Sequence, residues 1–207
     1  MGAGRRPEPI HHLPEDYREV YYLELTTGRN FVLLNLLALL PTALASVMTT
    51  GWILLIWQFR GVPISNSASI LQPTPLWGLV AVVMVILLHE ALHGLAIYWT
   101  GHKPRFGVKP NKLVVYTTAD KALFRRGEFM VIVLAPLIGI SLGGLVLLML
   151  VVDVTGAFFL ALAVIINAGS SIGDLWMWLV VRRYSGDALI RDEADCLRVY
   201  VRDSSSA

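Results

Sequence analysis

Positions 89–93 read HEALH, two imidazoles one helical turn apart with a carboxylate between them. On a helix His89 and His93, at i and i+4, project from one face and can ligate the same ion. Glu90 then reaches a water on that ion as general base. The chemistry this spacing serves is hydrolysis: the metal polarises a carbonyl and acidifies water, and the glutamate carries the proton. Zinc suits such a donor set, and a catalytic zinc site holds three protein ligands and one open position. Two histidines in an apolar helix could also line a channel, bind haem or bond a neighbouring helix. The glutamate between them favours zinc.

A third ligand is therefore required. Asp174, in INAGSSIGDLWMW, is the one acidic residue besides Glu90 that lies well inside an apolar segment. His93 precedes Gly101 by eight residues, and Asp174 precedes Arg182 by eight. At 1.5 Å per residue both sit roughly 12 Å from the same end of their segments, which makes a shared metal geometrically plausible. The alternative for Asp174 is a buried partner for another helix, or a proton carrier. Asn167 lies two turns earlier on the same face. It could donate to an oxyanion or tie helices together. His102 follows Gly101 in a loop and is expected at the surface. The lone Cys196 excludes an internal disulfide and a thiolate zinc site.

The elements that must carry these residues are membrane helices. Of 207 residues 56% are hydrophobic and only 15% charged, outside the range of ordinary soluble domains. A net charge of +2, with no arginine-rich aromatic run, argues against nucleic acid. A spanning helix needs about 20 apolar residues, and segments 31–59, 76–99, 129–152 and 156–181 qualify. Pro41 and Thr49-Thr50-Gly51 predict a tilt or kink in the first. The last two are joined so tightly, through Asp153-Val154-Thr155, that they must run antiparallel. Gly139 and Gly143, and Gly169 and Gly173, are small-residue pairs that permit close helix contact. All but Arg60 of the 17 Lys and Arg fall on one side of this arrangement. Both termini and the loop 101–128 are thereby expected in the cytoplasm. The polar first thirty residues hold no recognisable cleavable signal, and Tyr17, Tyr21 and Tyr22 suit the headgroup level. Within the loop, RFGVKPNKLVVYTT (105–118) places β-prone runs around a Lys109-Pro110-Asn111-Lys112 turn, a hairpin signature. The chain is expected to be an all-α polytopic membrane protein of four transmembrane helices, with a small β-hairpin in the cytoplasmic loop between the second and third.

With H89-E-A-L-H93, A135-P-L-I-G139 and N167-A-G-S-S-I-G-D174 on successive spans, the chain resembles the site-2-protease class of intramembrane zinc metalloproteases. It is especially similar to a group of small prokaryotic membrane proteins described as putative zincin peptidases. The resemblance covers about residues 75–182. It implies Zn²⁺ held by His89, His93 and Asp174, catalysis by Glu90, a substrate-binding or intermediate-stabilising Asn167, and a membrane-associated β-element near 105–118 that engages unwound substrate. The chain departs from the class in carrying Gly173-Asp174-Leu175 for Leu-Asp-Gly, no proline after Asn167, and Gly139 where the third span commonly has asparagine. The expected organisation is a cytoplasmic tail over 1–30, a four-helix metalloprotease domain over 31–182 and a second cytoplasmic tail over 183–207. The expected activity is hydrolysis of peptide bonds in membrane-protein or peptide substrates, in a prokaryotic cytoplasmic membrane. The rival classes are an ion or proton transporter and a non-catalytic zinc scaffold.

Overall fold

The computed structural model describes residues 8–24, 28–61, 75–109, 114–151, 153–193 and 196–203. In chain order the elements are β1 (Tyr17–Glu24), α1 (Gly28–Phe59), α2 (Pro75–Trp99), β2 (Arg105–Lys109), β3 (Val114–Thr118), β4 (Phe124–Arg125), α3 (Arg126–Leu150), α4 (Val154–Ser170), α5 (Ile172–Val181), β5 (Leu189–Asp192) and β6 (Cys196–Arg202). Helices α1, α2 and α3 are long and apolar enough to cross a membrane, and the pair α4 and α5 qualifies if it counts as one span. The fourth segment is thus not one straight helix, as the sequence suggested. It breaks at Ser171 with a bend of 44°. The hydroxyls of Ser170 and Ser171 both donate to the Asn167 carbonyl, at 3.0 and 2.8 Å. Such back-bonding competes with the helical ladder and bends it.

Two compact units divide the chain. One comprises Met1–Leu33, Glu90–Ala135 and Gly173–Ala207. It contains an antiparallel sheet in the order β1-β6-β5-β4 and the separate β2–β3 hairpin. The hairpin pairs Arg105 with Thr118 through Lys109 with Val114, as the loop sequence predicts; its turn, at 110–113, lies outside the described residues. The four-stranded sheet corrects the all-α expectation. Positions expected in tails are strands: β1 joins β6 from Tyr17↔Arg202 to Glu24↔Cys196, with a bulge between Glu19 and Tyr21. In β6 the apolar Leu197 and Val199 point into the core, while Arg198 on the other face pairs with Glu19 at 2.9 Å and Glu193 at 3.3 Å. This is the alternation of a half-buried strand. The core joins Ile97, Phe129, Val133 and Val181 of the helices to Ile190, Leu197 and Val199 of the sheet. Each such side chain contributes about 1.5–3 kcal/mol by leaving water.

The other unit, Leu34–His89 and Pro136–Ile172, is helical. Trp57, Leu148 and Ala157 form its buried cluster, and Trp52 donates its indole N–H to the Leu145 carbonyl at 3.1 Å. Around Pro41 of α1, the hydroxyls of Thr42, Ser46 and Thr49 each donate to the carbonyl four residues back, at 2.7–2.8 Å. Polar groups in an apolar segment are satisfied internally in this way. Leu36, Leu39, Leu40, Val47 and Leu79 are all more than half exposed, an apolar surface suited to lipid. The members of the small-residue pairs are not alike. A Cβ at Gly143 or Gly173 would meet nothing within 4 Å, whereas at Gly144 it would lie 2.4 Å from Val164 Cγ2 and at Gly169 2.5 Å from Thr42 Oγ1. The close packing falls one residue from Gly143, and on only one member of the second pair.

His102 is not at the surface; it is 2% exposed. Thr100 donates its hydroxyl to the Ile97 carbonyl at 2.6 Å, so its oxygen accepts from His102 Nδ1–H at 3.0 Å. The ring meets Phe124 edge-on at 4.8 Å between centroids and His11 at 5.3 Å.

Two outcomes are expected. Gly144→Ala lowers stability by about 1–3 kcal/mol through overpacking, while Gly143→Ala raises it by up to about 1 kcal/mol through helix propensity; SDS titration in mixed micelles separates the two. Burial, joined by the neighbouring His11 and Arg125, pushes His102 below its ordinary pKa of 6.5, against the opposing pull of the Ile10 carbonyl and Glu128. The unfolded chain then binds this proton at higher pH than the folded one, so stability is full above about 6.5 and falls as pH drops through the folded value. Melting curves from pH 8 to 5 should show that loss, and His102→Phe should flatten it.

Candidate metal centre

The histidines stand one turn apart on α2, and Asp174 stands in the first turn of α5. All three are buried. One ligand atom from each of His89, His93 and Asp174 can be chosen so that all lie within 4.8 Å of one another, which is the arrangement of a group that could hold a metal ion. His93 Nε2 lies 3.5 Å from Asp174 Oδ1. Two ligands each about 2.0–2.2 Å from a tetrahedral zinc ion lie about 3.3–3.5 Å apart, so this edge fits. Two imidazoles and a carboxylate are also the donor types of a catalytic zinc site.

The other ring nitrogens decide which lone pairs face inward. His93 Nδ1 lies 2.9 Å from the backbone carbonyl of Ile132. A carbonyl only accepts, so Nδ1 carries the hydrogen and Nε2 the lone pair. His89 Nδ1 lies 2.9 Å from Asn167 Oδ1, and Asn167 Nδ2 donates to the Pro136 carbonyl at 3.1 Å. Because Pro136 oxygen cannot donate, the amide is oriented with its oxygen toward His89, and His89 also carries its hydrogen on Nδ1. Both rings therefore present Nε2 lone pairs. Partners of this kind orient metal-ligating histidines and raise their basicity.

The break at Ser171 matters here. It turns Asp174 from a mid-helix residue into a first-turn residue of α5, where the free N–H groups and the dipole favour a carboxylate. Asn167, at the end of α4, is fully buried. One amide hydrogen is engaged by Pro136, so the oxyanion role expected from the sequence would draw on the other. Glu90 is half-buried, and its backbone carbonyl accepts the hydroxyl of Thr117 on β3 at 3.1 Å. A Cβ at Gly94 would lie 2.5 Å from Phe106 Cζ, so β2 packs against α2 one residue beyond His93. The hairpin is thus fastened to the helix on both sides of the second histidine. The partners that sequence reasoning missed are Ile132 and Pro136. A buried proline within a span was the available signal, because it leaves the carbonyl four residues earlier without its helical donor.

The model of a family described as putative zincin peptidase matches residues 82–189, from about two turns before His89 to the first residue of β5. Among curated proteins and among solved structures, no match is found.

Asn167→Ala removes the acceptor that orients His89. Zn²⁺ affinity is expected to fall about 10–100-fold, the usual loss for such a partner, as read by competition with a chromophoric chelator. Unchanged affinity would show that His89 needs no such support.

Proposed function

We propose, from the premise that the chain belongs to the putative zincin peptidase family, that it is a zinc endopeptidase of the intramembrane, site-2-protease-like type. Its substrates are peptide bonds of membrane-associated proteins or peptides, in a prokaryotic cytoplasmic membrane. The observation that carries this reading is the convergence of His89, His93 and Asp174, three buried donors of the right types.

Zinc, when bound, supplies Lewis acidity, polarising the scissile carbonyl and lowering the pKa of a water to about 7. His89 and His93 offer Nε2 and Asp174 a carboxylate oxygen. Glu90, between the histidines in sequence, takes a proton from the attacking water and returns it to the amine nitrogen as the C–N bond breaks. Asn167 keeps the His89 ring in register and offers a remaining amide hydrogen to the developing oxyanion.

A helical substrate must unwind before its carbonyl can be attacked, because its own ladder occupies that oxygen. The β2–β3 hairpin supports such a step. A two-stranded sheet leaves an open edge on each strand, and an extended segment can add there by backbone hydrogen bonds. Phe106 and Val108, each 62% exposed, offer apolar contacts beside that edge. The distribution of Lys and Arg supports a cytoplasmic side for the hairpin and both termini.

The deciding experiment uses the full chain in liposomes with a library of fluorogenic transmembrane peptides. Glu90→Gln should retain stoichiometric zinc by elemental analysis and lose about 10²–10⁴-fold in cleavage rate, the usual contribution of a general base. Chelation should abolish wild-type cleavage and added Zn²⁺ restore it. Cleavage at the wild-type rate by the glutamine variant, or by metal-free protein, would sink the assignment.

A further inference from the structure

Pro136 lies inside α3 and is fully buried. A proline in a helix interior removes one N–H from the ladder, and the carbonyl that would have received it belongs to the residue four positions earlier. Here that residue is Ile132. A buried carbonyl needs a partner, and the hydrogen that reaches this one is His93 Nδ1–H at 2.9 Å. The carbonyl of Pro136 itself accepts Asn167 Nδ2 at 3.1 Å, and Asn167 Oδ1 in turn accepts from His89 Nδ1 at 2.9 Å. The two imidazole supports thus trace back to one residue, by its missing donor in one direction and its acceptor in the other.

We infer that Pro136 is a positioning residue for the metal centre, holding both imidazoles in the Nδ1–H form that turns Nε2 toward the ion. This inference rests on the zinc reading of the site given above. It assigns a use to the helix-interior proline beyond a change of helix direction. Alanine at this position would return an N–H to the ladder, and that N–H would compete with His93 for the Ile132 oxygen. Alanine is also the better helix residue. Fold stability and zinc affinity are therefore expected to move in opposite directions, whereas a purely structural proline would lower both when replaced.

The test uses the full-length protein in detergent, stripped of metal. Zn²⁺ affinity is measured by competition with a chromophoric chelator, apo stability by thermal unfolding, and the tautomer of His93 by ¹⁵N NMR of histidine-labelled apo protein. P136A is expected to bind Zn²⁺ about 10–100-fold more weakly, to melt no lower than wild type, and to lose the uniform Nδ1–H signature at His93. A semisynthetic protein with lactic acid at position 136 has alanine's methyl group but an ester oxygen in place of the N–H. It should regain affinity to within about threefold of wild type. Affinity of P136A within about twofold of wild type would overturn the inference while leaving the zinc reading intact. An equal loss in the alanine and lactic acid proteins would overturn it too, by tracing the effect to the proline ring. Wild-type protein that binds no Zn²⁺ at all would instead remove the zinc reading, and the inference with it.

Discussion

An imidazole can ligate a metal through one nitrogen only if the proton on its other nitrogen has somewhere to go. In apolar surroundings, where water is not at hand to accept it, the protein must supply an acceptor. The centre described above meets this requirement twice. One histidine donates to a backbone carbonyl and the other to a carboxamide whose orientation is itself determined by a backbone carbonyl. The carboxylate is handled by a different device, a helix start placed where the chain carries Asp174. Remove any of these three supports and the buried polar group beside it loses part of what holds it, a destabilising change in any apolar interior.

The supports come from places where regular structure fails. A continuous helix hides its carbonyls and has no free N–H groups at its middle. Pro136 opens one ladder, and the serines at 170 and 171 help break another. Both interruptions lie close to the candidate ligands. In α1, by contrast, the hydroxyls of Thr42, Ser46 and Thr49 donate to carbonyls four residues back and are satisfied within the helix.

Much of this was legible beforehand, for reasons tied to particular residues. The HEALH spacing and the isolation of Asp174 in apolar sequence named three groups that the fold brings together. Apolar length identified α1, α2 and α3, and the KPNK turn flagged the hairpin. The break between α4 and α5 was missed because long apolar runs flank GSSIGD on both sides and read as one span, although the small and hydroxylated residues of that stretch carry the signal. The strands near the chain ends were missed because polar composition dominated them. Yet the CLRVYVR alternation is visible once the strand is known, and β1 has its period interrupted by a bulge. His102 was misplaced because its loop position outweighed everything else, while its partners Phe124 and Thr100 could be identified only from the folded chain.

The four-stranded sheet carries a consequence for how the chain is threaded. It hydrogen-bonds β1, which precedes every helix, to β6, which follows them all, and it also includes β4, between α2 and α3. A bilayer cannot pass through a hydrogen-bonded ladder, so these strands share one face of any membrane the helices enter. The passages between β1 and β4 must then be even in number, and so must those between β4 and β5. If α3 traverses, the bent α4–α5 pair must bring the chain back as a single passage, whatever its hydropathy. Backbone pairing thus imposes a parity rule that a count of apolar residues cannot supply.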